Sequence, residues 1–314
     1  MPQADRIPVL PPMPPDVPAG RVPSWHVDQL AHRSCPVCGD DACTPVCRRP
    51  DRLVVARCSA CGMLYVPDIP SEEDLERFYR DYSAFKTSLS PRPSWRYYLL
   101  PVKPPDPGIE VLLESGGLRG QRLCEFGCSF GTFLRHARRR GAIVTGVELD
   151  DRAIEALRHA GIRVGRDVEP NEPFDIVCAF QLIEHLPRPG EFVTKASRML
   201  VADGRLLLAL PNGGEAERVG PGWVGYRVDL EHLNYFSVGT LARLVAGAGL
   251  AVEGFWESEQ PQVSRRGGRG GRRVGAAGQA RRLMGRLWGV ARHDQGTFGL
   301  SVLARKVARL PDPH

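Results

Sequence analysis

The chain has 314 residues, of which 42% are hydrophobic, and a net charge of +6 at pH 7. That length can bury one large core or two smaller ones. We find no run of about 18 apolar residues and no basic start followed by an apolar stretch, so we expect neither a membrane span nor a secretion signal and predict a cytoplasmic protein.

The positive charge is concentrated in one segment. Residues 265–292 contain nine arginines and no acidic residue, and the other 33 of the 42 basic residues are outnumbered by 36 acidic ones. Only four of the basic residues are lysine, a bias that GC-rich coding alone can produce. Because the rest of the chain is mildly acidic, the net charge is weak evidence for a nucleic-acid partner.

The first residues are rich in proline. Residues 1–23 carry eight prolines and few large apolar side chains. Such a composition cannot bury enough apolar surface to fold, so we predict a disordered tail over 1–24.

Two Cys-x-x-Cys pairs follow the tail. Cys35 and Cys38 are separated by 19 residues from Cys58 and Cys61, and a glycine follows each pair. This spacing predicts a four-cysteine zinc ribbon over 33–68, with a structural ion because four thiolates leave no open coordination position. We interpret Cys43 and Cys47, which lie between the pairs, as loop residues, with alternative ligands as the second hypothesis.

A helix is predicted after the cysteine segment. Ser71 precedes three acidic residues, as at a helix N-terminus. Leu75, Phe78, Tyr79 and Tyr82 then recur at helical spacing. We predict a helical linker or lid over 69–108.

From residue 109 onwards, helical and strand patterns alternate. The predicted helices are 109–117, 130–140, 151–160, 189–201 and 237–249, and the predicted strands are 121–126, 142–149, 162–165, 174–181, 204–211, 250–258 and 297–306. This alternation predicts an α/β domain over 109–308 with a seven-stranded, mostly parallel sheet. We expect the last strand to be reversed, since the Arg/Gly-rich insertion 259–295 replaces the helix that would precede a parallel strand.

The turn after the first strand of this domain carries the strongest motif. Gly127 and Gly131 lie in a tight turn, and Glu148 follows Gly127 by 21 residues, where a carboxylate can bind a ribose diol. Ser129 stands where a dinucleotide motif has its second glycine, which argues against NAD or FAD and suits a nucleoside cofactor without phosphate, such as S-adenosylmethionine. The alternative interpretation is an ordinary packing turn of an α/β protein.

The order of the motifs resembles a known family, the class I S-adenosylmethionine-dependent methyltransferases, in the group with a Glu-His-Leu motif. The resemblance covers about 110–306 and is carried by the segments 125–131, 146–148, 174–177, 181–187, 200–204, 211–212 and 232–236. It implies a Rossmann-like fold and a bound S-adenosylmethionine. It implies contacts to the methionine part from Glu125, Gly127, Cys128 and Gly131, to the ribose from Glu148, to the adenine from Asp167 and Val168, and near the sulfonium from Gln181.

Two histidines are candidates for the chemistry. His185 follows the fourth strand. The non-periodic segment 223–236 mixes aromatic and charged residues, as in a substrate-lining loop, and its Tyr226, Arg227 and His232 are candidates for substrate contact. A neutral imidazole can accept a proton near pH 7, so we predict that His185 or His232 is a general base and that Tyr226 belongs to the same catalytic set. The alternative is that Glu184 and His185 hold the loop or cap the next helix, and some relatives use such a Glu-His pair near a divalent ion.

These observations predict a methyltransferase that acts on an oxygen, nitrogen or carbon atom of a small molecule of secondary-metabolite or sugar type. Zinc ribbons that precede such domains resemble those of deoxysugar C-methyltransferases. Two alternatives stay open: an RNA methyltransferase that binds RNA through the ribbon and the Arg/Gly stretch, and a non-enzymatic interaction protein built on the ribbon. The sequence gives no indication of the oligomeric state.

Overall fold

Three β-sheets organise the described part of the protein in this computed structural model. The structure describes residues 7, 8, 10, 22–80, 110, 112, 117–169, 172–220, 223, 225–228, 230–258 and 299–307. The strands, in chain order, are β1 (Ala31–His32), β2 (Cys43–Arg48), β3 (Val54–Cys58), β4 (Leu64–Tyr65), β5 (Asp68–Ile69), β6 (Arg122–Phe126), β7 (Ile143–Val147), β8 (Arg163–Gly165), β9 (Phe174–Phe180), β10 (Leu200–Pro211), β11 (Asn234–Tyr235), β12 (Leu250–Ser258) and β13 (Gly299–Lys306). The helices are α1 (Glu72–Arg80), α2 (Thr132–Arg139), α3 (Asp151–His159), α4 (Pro189–Met199), α5 (Glu215–Val219), α6 (Gly225–Val228) and α7 (Val238–Gly247).

The largest sheet has seven strands in the order β12-β13-β10-β9-β6-β7-β8. Strands β6 to β10 pair in parallel, whereas β13 runs antiparallel to both β10 and β12. The predicted seven-stranded α/β sheet with a reversed last strand is therefore confirmed. The order in which successive strands are added reverses between β6 and β9, because β7 and β8 lie on one side of β6, and β9 and β10 on the other. Open α/β sheets bind ligands at the carboxyl ends of the strands beside such a point.

Polar caps fix where several helices begin. The Asp150 carboxylate accepts N–H bonds from Arg152 and Ala153 at the start of α3. Ser237 and Thr240 form a reciprocal capping box at the start of α7. Each cap satisfies backbone donors that the first helical turn leaves without a partner.

The junction of α4 and β10 differs from its prediction. The predicted helix 189–201 ends at Met199, and β10 begins at Leu200 rather than at residue 204. The pairing of β10 with β9 shifts register between Leu200 and Arg205, and Asp203 in this interval has a φ of 60°. An irregular strand with a turn-like interruption explains why the Ala-Asp-Gly sequence looked like the end of a helix.

The cysteine-containing segment forms a second sheet in the order β11-β4-β3-β2. Its strand β11 follows β10 in the chain, and it pairs with β4 through Asn234–Tyr65 and Tyr235–Leu64. The small module is therefore completed by a strand of the α/β region and is not independent of it.

The two parts of the chain also share hydrophobic cores. The ring of Tyr65 and the side chain of Met63 belong to the same buried cluster as Phe126 and Phe236. A second shared cluster joins Leu53, Val55 and Val66 of the small module to Leu233 and Tyr235. Burial of apolar surface is the main favourable term in folding, so these clusters hold the module against the α/β domain.

The predicted helix after Ser71 is present as α1. The Ser71 hydroxyl accepts a hydrogen bond of 3.2 Å from the Asp74 N–H. Phe78 packs against Trp25 with ring centroids 5.0 Å apart. The rest of the predicted linker or lid, from residue 81 to 108, lies outside the described residues.

Two other predicted segments lie wholly or mainly outside the described residues. They are the tail 1–24, apart from a few positions, and the insertion 259–295. Within the tail, Leu10 is buried and donates its N–H to the Arg48 carbonyl at 3.1 Å, so this residue departs from the predicted disorder. None of the helices in the described part of the chain is both long and apolar enough to cross a membrane.

Candidate active site

The glycine turn after β6 lies against β7. The N–H groups of Gly127 and Cys128 donate to the Val147 carbonyl at 2.9 and 3.2 Å. Gly131 has a φ of 71°, and a Cβ there would stand 2.4 Å from Leu157, so glycine is required for both backbone conformation and space. The backbone conformation of the predicted turn is therefore closely constrained. Ser129, which stands where a dinucleotide motif has its second glycine, has a φ of 47°.

Glu148 closes the turn on its other side. Its carboxylate accepts N–H bonds from Ser129 at 2.7 Å, Leu149 at 2.7 Å and Asp150 at 3.0 Å. Three backbone donors fix both oxygens, and each oxygen keeps further acceptor capacity. This geometry fits the predicted contact with a ribose diol, whose hydroxyls donate.

Glu125 is a buried carboxyl beside the same turn. Its Oε2 has no hydrogen-bond partner among the described residues. Burial raises the pKa of Glu125 well above its ordinary value, and the charge of Glu148 raises it further, against the opposing bond from the Leu134 N–H. An acceptor with no partner in a closed space is an incomplete site, and a cationic or N–H donor from a ligand would complete it.

Asp167 and Val168 follow β8 at the same edge of the sheet. The Lys195 ammonium donates to both Asp167 oxygens, at 2.6 and 2.7 Å, and the Val168 N–H donates to one of them at 2.8 Å. Partial burial alone would raise the pKa of Asp167, but the hydrogen bonds from Lys195 and Val168 and the charge of Lys195 lower it below its ordinary value. Lys195, which also lies 5.7 Å from the Phe126 ring centroid, is a site residue that sequence reasoning missed.

Gln181 lies between the glycine turn and the histidines at this edge. It has a φ of 51° and donates its N–H to the Ala209 carbonyl at 2.7 Å. The next residue, Leu182, packs so closely on the glycine turn that a Cβ on Gly127 would lie 3.3 Å from its Cδ1. The loops after β6 and β9 are thus in direct contact.

His185 and His232 come together in the fold although 47 positions separate them. Their ring centroids are 4.6 Å apart at an interplanar angle of 78°. Together with Glu184 they form what we call the histidine cluster: all three are buried, and their ligand atoms lie within 4.8 Å of one another. Two imidazoles and a carboxylate can relay a proton, and they are also a donor set that a divalent cation accepts.

Backbone contacts hold the histidine cluster in place. The N–H groups of Leu233 and Asn234 donate to the Glu184 carbonyl at 2.8 and 3.0 Å. The Asn234 side-chain amide donates to the carbonyls of Ile183 at 3.1 Å and Leu186 at 2.8 Å. One asparagine therefore ties the turn that carries His185 to the segment that carries His232.

Tyr79 and Glu231 also belong to this region, and neither was predicted as a site residue. The Tyr79 ring stands edge-on to His185 with centroids 6.2 Å apart. Burial raises the pKa of Tyr79 above its ordinary value, and the charges of Glu231 and Glu184 raise it further, so its hydroxyl stays protonated. The helical spacing of Tyr79 in α1 predicted only that this face of the helix is packed. It did not predict that Tyr79 contacts His185.

Comparison with known proteins identifies the domain that this edge of the sheet belongs to. A family model described as a methyltransferase domain matches residues 97–253, which is half of the chain. The chain belongs to the methyltransferase domain family. The predicted assignment to a methyltransferase is therefore confirmed at the level of the family.

Curated relatives match a shorter region. The chain is 31% identical over 109 residues to a ubiquinone biosynthesis O-methyltransferase of Alkalilimnicola ehrlichii, which covers 31% of this chain and 44% of that protein. It is 24% identical over 132 residues to the protein of the same name from Salmonella paratyphi A, covering 38% and 52%. The chain thus spans about half the length of the curated relatives it matches.

Solved structures match a larger share of the chain at lower identity. An S-adenosylmethionine dependent methyltransferase from Mesorhizobium loti is 19% identical with a TM-score of 0.47, covering 63% of this chain and 96% of that one. A SAM dependent methyltransferase from Archaeoglobus fulgidus is 17% identical with a TM-score of 0.46, covering 63% and 92%.

Tyr226 lies in an aromatic cluster of the methyltransferase domain. Its ring is fully buried and stands edge-on to Trp223 and Tyr235, each with centroids 5.1 Å away. Burial, and to a smaller extent Tyr235, raises the pKa of Tyr226 above its ordinary value. These are the contacts of a core residue, so the structure brings Tyr226 to the aromatic cluster, whereas it brings His185 to His232. Leu233 and Phe236 of the same segment are buried, and the Arg227 side chain is outside the described part of the chain.

The four predicted zinc ligands lie close together in the small module. The Sγ atoms of Cys35 and Cys61, and of Cys38 and Cys58, are each 3.5 Å apart, and all four lie within 4.8 Å of one another. Tetrahedral Zn–S bonds of about 2.3 Å require sulfur atoms about 3.8 Å apart, so the donor set and its size fit zinc.

The remaining cysteines are elsewhere. Cys43 and Cys47 lie on strand β2, so the prediction that they are loop residues was wrong, and neither belongs to the four-sulfur group. Cys124 and Cys178 are buried in β6 and β9, as expected for small residues of the sheet. Cys128 is also buried, and a Cβ on Gly146 would stand 2.7 Å from its sulfur.

Proposed function

We propose that this protein is an S-adenosylmethionine-dependent methyltransferase that transfers a methyl group to an oxygen, nitrogen or carbon atom of a small molecule. The observation that carries the proposal is the contact between Gly127 and Leu182 at the sheet edge. It joins the cofactor residues, after β6 and β7, to the histidine cluster, which begins three positions after Gln181.

The cofactor residues have complementary roles in the proposal. Glu148 accepts hydrogen bonds from the ribose hydroxyls, and Glu125 offers its free oxygen to the amino group of the methionine part. Asp167 and Val168 border the adenine, and Gln181 lies towards the sulfonium. When bound, S-adenosylmethionine supplies an electrophilic methyl group on a cationic sulfur.

The protein contributes alignment and proton transfer. Methyl transfer is an in-line displacement, so holding the two reactants in position accounts for much of the rate. His185 or His232 accepts the proton of the acceptor O–H or C–H as the new bond to methyl forms, and the imidazolium is stabilised by Glu184 at its side.

A hydroxyl of a small molecule is the acceptor that we favour. Support comes from the names of the curated relatives, which are O-methyltransferases of ubiquinone biosynthesis. The buried imidazoles suit an acceptor that must lose a proton, whereas an amine acceptor needs no base. The RNA alternative relies on the ribbon and on the Arg/Gly stretch, and the latter lies outside the part of the chain that the structure describes.

We further propose that Cys35, Cys38, Cys58 and Cys61 bind a structural Zn²⁺. The four sulfurs supply a complete tetrahedral set, which leaves no position for a substrate. The ion then stabilises the small module and takes no part in methyl transfer.

The first test of the enzymatic proposal is calorimetry with S-adenosylmethionine and S-adenosylhomocysteine. We expect one site per chain for both ligands. A screen of phenols, catechols and sugar alcohols for release of S-adenosylhomocysteine then identifies the acceptor class. Absence of binding of either ligand to the folded, zinc-loaded protein would contradict the proposal and favour the interaction-protein alternative.

A further inference from the structure

Arg49 links the small module to the segment that carries His232. It lies at the tip of the β2–β3 hairpin, and both its side chain and that of Asp51 are 0% exposed. The Arg49 guanidinium donates to the His232 carbonyl through Nη1 at 2.5 Å and to the Leu230 carbonyl through Nη2 at 2.6 Å. A side chain of the module thus holds the backbone on both sides of Glu231.

Every N–H of this guanidinium has an acceptor. Besides the two carbonyls, Nε and Nη2 donate to the two Asp51 oxygens at 3.1 and 2.5 Å, and Nη1 donates to the Tyr235 hydroxyl at 2.7 Å. Arginine has five N–H donors in a rigid plane, and here five bonds are made. Asp51 is itself fixed by the Trp25 indole N–H at 3.0 Å.

The charge of this group is matched inside the protein. Burial alone would lower the pKa of Arg49, but the charge of Asp51 and its hydrogen bonds raise it above the ordinary value. A lysine at this position has three donors at one point and cannot span two carbonyls together with a carboxylate. The chemistry of position 49 is therefore specific to arginine, which simple filling of the core does not require.

The backbone that Arg49 holds sets the directions of the Glu231 and His232 side chains. With the carbonyls of Leu230 and His232 held by one rigid plane, the intervening peptide units are fixed, and with them the directions of Glu231 and His232. The His232 ring meets His185 at 4.6 Å between centroids. That approach depends on two segments, one held by Asn234 and the other by Arg49.

We propose that Arg49 is a positioning residue of the acceptor site, which sets the position of His232 against His185 from within the cysteine-containing module. The proposal rests on the proposed function for its catalytic meaning, but its structural content can be tested separately. The module is then more than a cover, because the tip of its hairpin determines the geometry of the histidine cluster.

The test is NMR of the full, zinc-loaded chain with 13C label at the histidine Cε1 positions. The signals of the two rings are assigned with His185→Gln and His232→Gln. In the wild-type protein we expect a nuclear Overhauser cross-peak between the two rings. In Arg49→Lys we expect the loss of this cross-peak and a shift of the His232 signal, with the S-adenosylmethionine dissociation constant unchanged within about twofold.

Arg48→Lys is the matched control. The same chemical change is made one position earlier, at a partly exposed side chain that donates only to the Arg52 carbonyl, at 3.2 Å. We expect it to keep the cross-peak and both chemical shifts. An Arg49→Lys protein with the wild-type cross-peak and the wild-type His232 shift would overturn the proposal.

A milder variant guards against failure of Arg49→Lys to fold. Tyr235→Phe removes only the hydroxyl that accepts from Nη1 of Arg49. We therefore expect a folded protein in which the chemical shift of His232 changes and that of His185 does not. An unchanged His232 signal in this variant would also contradict the proposal. Loss of S-adenosylmethionine binding by the wild-type protein would contradict the proposed function alone, since the cross-peak is measured without the cofactor.

Discussion

The backbone N–H of Ser129 donates a 2.7 Å hydrogen bond to the Glu148 carboxylate. The serine that replaces a glycine of the dinucleotide motif is thus part of the site, because its N–H helps to orient the carboxylate. The glycine turn and the end of β7 consequently form one unit.

We expect Glu148→Gln to weaken the binding of S-adenosylmethionine by about 10- to 100-fold. Hydrogen bonds to a charged group contribute about 1.5–3 kcal/mol, and the amide NH₂ of glutamine would face the backbone N–H groups that now donate to Glu148. Calorimetry measures the change. Glu155→Gln, an exposed acid on the neighbouring helix α3, is the control and should bind as the wild type does. Equal affinity in both variants would remove Glu148 from the cofactor site.

The raised pKa of Glu125 predicts a pH dependence of stability in the ligand-free protein. An unfolded glutamate titrates near 4.5, and burial raises the folded value well above this. Between the two values the folded state binds more protons, so the free energy of unfolding decreases as the pH rises through this window. Below the window Glu125 is protonated in both states, so it no longer makes the free energy of unfolding depend on pH.

Replacing Glu125 with glutamine should remove this dependence. We expect the stability of Glu125→Gln relative to the wild type to increase as the pH rises above 4.5. Urea unfolding at a series of pH values provides the measurement, with Glu155→Gln as the exposed control. Parallel pH profiles for wild type and Glu125→Gln would show that the buried carboxyl is not the titrating group.

Most of the α/β topology could be predicted from the sequence, because alternating periodic segments leave few arrangements for a parallel sheet. The start of α1 after Ser71 and the cysteine group were also predictable, since their signals are local. The contact of Arg49 with His232 was not, because 183 positions separate the two residues. Nothing in the sequence near Arg49 distinguishes it from Arg48.

The site residues that sequence reasoning missed share one property. Lys195 and Tyr79 each lie on a helix whose spacing already explained them as surface or core residues, so neither attracted a functional interpretation. For Tyr226, the catalytic role stays a prediction. Its non-periodic aromatic segment indicated a substrate-lining loop, whereas its ring packs against Trp223 and Tyr235.

The histidine cluster predicts separable effects on turnover and cofactor binding. Replacing the general base should lower kcat by about 10²- to 10⁴-fold, the usual contribution of a positioned base, and should leave the affinity for S-adenosylmethionine unchanged. His185→Gln and His232→Gln, assayed by S-adenosylhomocysteine release with the acceptor found in the screen, should differ in size, the larger loss marking the base. Unchanged turnover in the double variant would exclude both.

Asn234 should be important for stability because its side-chain amide donates to three carbonyls of the turn that carries His185, those of Ile183, Glu184 and Leu186. Asn234→Ala removes the amide donor of the Leu186 carbonyl, whereas the other two carbonyls keep backbone donors, and one lost buried hydrogen bond costs about 1–3 kcal/mol. Asn234→Asp should cost more, since an anionic oxygen would then face the carbonyls of Ile183 and Leu186. Chemical denaturation compares the two variants. If Asn234→Ala were less stable than Asn234→Asp, this expectation would be wrong. The hydrogen bond of 3.0 Å from Arg33 to the Asn234 side-chain oxygen would then contribute more to stability than the bonds from its amide.

The four-cysteine group predicts that purified protein contains one zinc ion per chain. Cys38→Ser should lose the metal and lower the melting temperature, because an ion that binds only the folded state stabilises it by about 4 kcal/mol when free zinc exceeds its Kd by 1,000-fold. Cys43→Ser is the matched control on strand β2, outside the four-sulfur group, and should retain the ion. Since β3 runs from the hairpin tip beside Arg49 to the ligand Cys58, removal of zinc with a chelator should also weaken the ring contact between His185 and His232. A chelated protein that keeps its melting temperature and this contact would show that the module needs no metal for its fold.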